Sequence, residues 1–190
     1  MFATKLRLFA VLVFTCVLCR TVADELSQET VCAQVYCRAP ATITLRFDKD
    51  TAMDFEVGGI PVAFERDVNL FPGEAVELTV TIENGEIKSL IYDPDSFDSG
   101  EVISVRFSQN DDEPYGMMLV VKNPFEKYLK FEAFLAVPNR DGFAYTSSCP
   151  VGPGMSTYES WPYPISHIVL TNIHLVDSTL DGDSIEITCK

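Results

Sequence analysis

The sequence predicts an all-β protein, an antiparallel β-sandwich of about ten strands. Three observations predict it. From Ala41 onward, apolar residues either alternate with polar ones or come in short unbroken runs, the patterns of half-buried and fully buried strands. Turn formers break these runs about every eight to twelve residues, as in sandwiches and barrels. No amphipathic helical pattern is present after Ala23.

The first residues stand apart from this pattern. Lys5 and Arg7 precede the apolar run Leu8 to Cys19, and Thr21-Val22-Ala23 close it with small residues. A charged start, a short apolar core and a small-residue end make a secretory signal peptide, residues 1–23, with cleavage expected after Ala23. The run is shorter than the roughly 20 residues a membrane span needs. A lipid anchor would want a small residue just before Cys16 or Cys19, and Thr15 and Leu18 stand there. The remainder, residues 24–190, contains no Ser/Gly-rich linker, repeat or low-complexity tract and reads as a single β-sandwich domain.

The strands follow in order. Thr42 to Phe47 and Met53 to Val57 flank the turn residues Asp48-Lys49-Asp50. Val76 to Tyr92 is centred on Asn84-Gly85, the pair that tolerates the positive φ values of a type I′ turn, so a two-residue hairpin is expected. An unbroken register sets Ile82 opposite Ile87, Val80 opposite Ser89 and Leu78 opposite Ile91, with one face apolar. Val102 to Phe107, Met117 to Lys122, Tyr128 to Val137 and Phe143 to Ser148 are further strands, separated by Asn123-Pro124 and Asp141-Gly142. Leu129, Phe131, Ala133, Leu135 and Val137 fall on one side of the third of these, Tyr128 to Val137. Ile165 to Val176, apolar and β-branched, completes the set.

The stretch MMLVVKNPFEKYLKFEAFLAV, Met117 to Val137, resembles an edge-to-edge strand pair of bacterial immunoglobulin-like domains. The resemblance covers a small part of the chain. It implies that the sandwich is immunoglobulin-like.

Charge narrows the partners. Removal of Lys5, Arg7 and Arg20 with the signal leaves 11 basic residues against 28 acidic ones, a formal charge of −17. Such a surface repels phosphate backbones and anionic lipid, so neither nucleic acid nor a membrane surface is an expected partner. No later run has the length of a membrane span. None of the asparagines at 69, 84, 110, 123, 139 and 172 begins an Asn-x-Ser/Thr acceptor, which leans toward a bacterial periplasm over a eukaryotic secretory route.

Cys32, Cys37, Cys149 and Cys189 remain after the signal, an even number suited to two disulfides in an oxidising compartment. Three connectivities are open. Cys32 with Cys37 leaves Cys149 with Cys189, whereas a nested pairing joins Cys37 to Cys149 and Cys32 to Cys189. Zinc would want two close pairs, and Cys149 and Cys189 stand alone.

Residues 149–176 hold the only tryptophan, both histidines and several serines. His167 and His174 differ by seven, which places them on opposite faces of an unbroken strand and apart from any shared metal ion. Ser147, Ser148, Ser156 and Ser166, with a histidine and Asp177, could supply a hydrolytic triad. No serine, however, sits in a strained Gly-x-Ser-x-Gly elbow. Gly152-Pro153-Gly154 reads as a turn, since Pro153 removes the central amide that a phosphate loop would present. Tyr158, Trp161 and Tyr163, held extended by Pro162 and Pro164, either cap the sandwich at a corner with Trp161 as anchor or form an exposed stacking platform for a sugar or peptide. The carboxylates at 93–98, 110–113 and 181–183 lack the spacing of an EF-hand and read as solvated turns rather than calcium loops.

These readings converge on an exported, non-enzymatic β-sandwich, a periplasmic binding or structural module for another envelope or secreted protein, with no cofactor. The alternative is a carbohydrate- or peptide-binding module using Tyr158, Trp161 and Tyr163. A second alternative is a hydrolase using His167 or His174.

Overall fold

Asn84 and Gly85 both adopt left-handed backbone, with φ of 54° and 82°, as the type I′ turn requires. The computed structural model describes residues 28–95, 101–112, 115–177 and 189. Its elements run α1 (Gln28–Cys32), β1 (Ala41–Arg46), β2 (Ala52–Val57), β3 (Ala63–Phe64), β4 (Asp67–Leu70), β5 (Glu74–Glu83) and β6 (Glu86–Ile91). They continue through β7 (Val102–Gln109), β8 (Met117–Lys122), β9 (Tyr128–Ala136), β10 (Ala144–Thr146), β11 (Ser156–Trp161) and β12 (His167–Val176). The expected signal peptide lies outside the described residues.

Two five-stranded antiparallel sheets, ordered β11-β8-β7-β5-β6 and β10-β9-β12-β4-β3, share one apolar core, and β1 pairs with β2 beside them. The protein is thus an all-β sandwich. Alternation supplies the core: Ile103, Val105 and Phe107 from β7, and Leu129, Phe131, Ala133 and Leu135 from β9, all point inward and are buried. Each large apolar side chain so buried contributes about 1.5–3 kcal/mol.

The fold departs from the sequence reading in several places. There are twelve strands instead of about ten: β3, β4 and β11 are additional, and α1 is a five-residue helix where none was expected. In the hairpin, Ile82 does face Ile87, but Lys88 is an extra residue on β6, so Thr81 faces Ser89, Val80 faces Leu90 and Thr79 faces Ile91. A bulge re-aims every side chain beyond it. Here it turns Leu90 into the core and leaves Ile91 50% exposed, whereas an unbroken register would have buried Ile91. The strands of the Met117 to Val137 stretch do not pair: β8 belongs to one sheet and β9 to the other. Residues 123–127 carry the chain across the sandwich. The side chain of Asn123, fully buried, holds this crossing by donating to the carbonyls of Lys127, Val151 and Gly152 at 2.8, 3.0 and 3.0 Å while its Oδ1 accepts from Phe125 N. Finally, the segment expected to be a corner is the edge strand β11, paired to β8, and the corner begins only at Pro162.

The disulfides join Cys32 to Cys37 and Cys149 to Cys189, the pairing without nesting. The first closes a loop that is docked by the next residue. Arg38, 8% exposed, donates to both carboxylate oxygens of Glu74 at 2.5 and 2.7 Å and to the carbonyls of Ile60 and Pro61 at 3.2 and 3.1 Å. Its Nη2 also donates to Asn69 O. No helix among the described residues is long and apolar enough to cross a membrane.

Candidate functional site

Strand period sorts the aromatic segment. Tyr158 and Trp161 are three residues apart on β11 and therefore leave it on opposite faces. Trp161 turns inward and packs against the core, as the anchor reading expects. Tyr158 turns outward and is 70% exposed, while Tyr163 lies beyond the strand end, partly exposed. The three rings do not form one platform.

Tyr158 instead joins residues that the sequence reading passed over. In the sheet it faces Val120 of β8, Val120 faces Arg106 of β7, and Arg106 faces Ala75 of β5. The next row along the same face is Ser156, Lys122, Ser104 and Glu77. Neighbouring strands are about 4.8 Å apart, so Tyr158 and Arg106 rise about 10 Å from each other with only Val120 between them. Arg106 and Lys122 are diagonal neighbours, about 7–8 Å apart. All of these residues except Tyr158 line a shallow depression of about 690 Å³ whose described lining contains one carboxylate, Glu77. Neither Arg106 nor Lys122 has a salt-bridge partner among the described residues, unlike Arg38 with Glu74 or Lys127 with Asp177. The signal that could have found one of them is alternation in VISVRFSQ, where Arg106 stands between Val105 and Phe107. Only the pairing of β7, β8 and β11 sets them beside Tyr158.

The edges of both sheets are guarded. β3 and β10 are two and three residues long, β6 carries the Lys88 bulge, and β11 turns Glu159 inward opposite the fully buried Leu119. Short edges, bulges and inward charges oppose strand addition.

The histidines lie on the other sheet. A bulge in β12, with Asn172 at φ 51°, lets Thr171 face Glu132 and His174 face Lys130. It overturns the parity argument: His167, opposite Ala136, and His174, opposite Lys130, share the outer face. Six positions of β9 separate their partners, about 20 Å along the strand, which is too far to share an ion. His167 stacks on Phe71 with ring centroids 4.4 Å apart, meets Phe143 edge-on at 5.4 Å, and its Nε2 lies 3.1 Å from Asn69 Oδ1. Burial, reinforced by the Arg38 charge and opposed by Glu74, lowers its pKa to about 4, so the ring is neutral near pH 7. His174 Nδ1 lies 2.6 Å from Asn172 O.

The remaining candidates find local partners. Ser166 Oγ donates to Ala136 O at 3.0 Å, the buried Ser148 Oγ donates to Phe131 O, and Ser156 sits on β11 away from both histidines. In the Gly152-Pro153-Gly154 turn, Gly154 N donates to Phe125 O and the following Met155 N to Gly152 O, both at 3.1 Å, so these two amides are engaged within the protein. Asp93 Oδ1 accepts from Asp95 N at 3.0 Å, a turn-closing bond. Residues 96–98, 113 and 181–183 of the acidic stretches lie outside the described residues. Among the described residues, no group of three or more His, Cys, Asp or Glu side chains could hold a metal ion. The chain matches no protein-family model, no curated protein and no solved structure.

Proposed function

We propose that this is an exported, non-enzymatic β-sandwich module that binds a ligand or envelope partner through the outer face of the β5-β7-β8-β11 sheet. The observation that carries the reading is the row Tyr158, Val120, Arg106: an exposed ring, and a cation with no ion-pair partner among the described residues, flanking an apolar side chain. Aromatic and arginine side chains dominate binding energetics where they meet a partner. Export is supported by the signal pattern and by the two disulfides, which persist in oxidising compartments. The immunoglobulin-like form of the sandwich belongs to the same proposal, supported by two facing antiparallel sheets.

The test compares two surface variants on immobilised glycan and peptide arrays. Tyr158→Ala with Arg106→Ser should lose whatever the native protein binds. Phe143→Ala with Tyr145→Ala, on the opposite sheet, should keep it. The reverse pattern would move the binding surface to the His167 side and overturn the proposal.

A further inference from the structure

We infer that the ligand of this face is a short acidic oligosaccharide, one whose sugar ring stacks on Tyr158 while its carboxylate or sulfate meets Arg106 and Lys122. The inference rests on the binding-face reading and adds the chemistry of the occupant.

Charge complementarity carries it first. The chain has 28 acidic residues against 14 basic ones, yet the described lining of the depression has two cations and one carboxylate, Glu77. Glu77 lies two strands from Lys122, across Ser104, and forms no ion pair with it. Arg106 and Lys122 therefore present charge with no ion-pair partner among the described residues, at a separation that suits one anionic group or two on adjacent sugars. An arginine fork binds carboxylate or sulfate oxygens in pairs, and the lysine adds a point charge beside it.

The remaining side chains select a glycan over a peptide. Tyr158, 70% exposed and opposite Val120 in the sheet, offers an apolar ring face with a polar tip. Only Val120, a short apolar side chain, stands between it and Arg106 in this row. Ser104, Ser108 and Ser156 in the lining supply hydroxyls, each able to donate and accept, which matches the mixed hydrogen bonding of sugar hydroxyls. A peptide lying on this face would have to satisfy its backbone amides and carbonyls against a sheet whose own backbone groups are already paired. The net charge of −14 limits the length of the ligand. A long polyanion would extend beyond the two cations and meet the repulsion of the acidic surface around them.

The experiment is a titration of the full mature protein, followed by two-dimensional NMR and calorimetry, with four probes. They are a galacturonate trisaccharide, its uncharged methyl-esterified counterpart, a sulfated neutral trisaccharide and an acidic hexapeptide. An acidic trisaccharide, carboxylated or sulfated, should bind at least tenfold more tightly than the methyl ester and shift the resonances of Val120 and Tyr158. The carboxylated and sulfated arms show which anion the cations prefer. Arg106→Ser with Lys122→Ser should lower that affinity at least tenfold, and Tyr158→Ala at least fivefold, with unchanged urea midpoints because all three side chains are exposed. Equal binding of the methyl ester, or tighter binding of the hexapeptide at the same resonances, would overturn the acidic-glycan inference while leaving the binding face in place. Binding of no trisaccharide would overturn it as well, and the array comparison would then judge the face independently.

Discussion

Arg38 and Glu74 form a two-point ion pair: Nε and Nη2 of the arginine donate to Oε1 and Oε2 of the carboxylate, at 2.5 and 2.7 Å. Arg38 belongs to the disulfide-closed N-terminal segment and Glu74 begins β5, so the pair fastens that segment to the sandwich. Glu74 Oε2 also accepts from Phe71 N at 2.8 Å, and the Arg38 guanidinium lies 4.9 Å from the Phe71 ring centroid. One carboxylate thereby fixes both the arginine and the residue on which His167 stacks.

Arg38→Ala should cost about 3–5 kcal/mol, because it strands a partly buried carboxylate and three carbonyls without donors. Combining it with Glu74→Gln should recover part of this loss, with a coupling of about 1 kcal/mol or more in a double-mutant cycle read by urea denaturation. Additive losses in that cycle would mean that the ion pair does not act as a unit.

Stability should depend on His167 between about pH 6.5 and pH 4. The unfolded imidazole takes up its proton near 6.5, whereas the folded one resists until about 4. The unfolded state therefore binds more protons across this window, and stability falls as pH falls through it, by up to about 3 kcal/mol. The stabilisation is fully present above the unfolded pKa. His167→Gln should remove this part of the pH dependence. Parallel curves of urea midpoint against pH for the two proteins would refute the assignment. Their difference cancels the contribution of Asp67, whose pKa is raised by burial.

Trp161 and Tyr158 should separate stability from binding. Trp161→Ala removes a side chain packed against the core and should cost about 3 kcal/mol. Tyr158→Ala should change stability by less than about 0.5 kcal/mol. The single tryptophan should emit at short wavelength and resist acrylamide in the native state. A red-shifted, readily quenched emission would place it outside the core.

Gly85→Val should destabilise the hairpin by about 1 kcal/mol or more, since φ is 82° at this position. A Cβ there would meet only Lys127 Nζ at 3.8 Å, so the cost lies in the backbone and not in a clash. An unchanged urea midpoint would show that the turn relaxes to another type.

The legible parts of the fold were those set by neighbours in sequence. Met117–Lys122 has the predicted bounds, and β9 buries the predicted side of its alternation, because a period of two is written in consecutive residues. Bulges were not legible. Nothing local marks Lys88 as an extra residue; burial of Leu90 against the opposite sheet selects it. At Asn172, the left-handed backbone and the burial of Ile173 together shift the strand phase and overturn the parity of the histidines.

By itself, the sequence determined the all-β class and the Asn84-Gly85 turn. Local turn chemistry and side-chain alternation suffice for these. Tertiary structure alone decided the disulfide pairing, the separation of β8 and β9 into different sheets, and the row that sets Tyr158 beside Val120 and Arg106. Those depend on register between strands distant in the chain, which is fixed by how the two sheets close over one core.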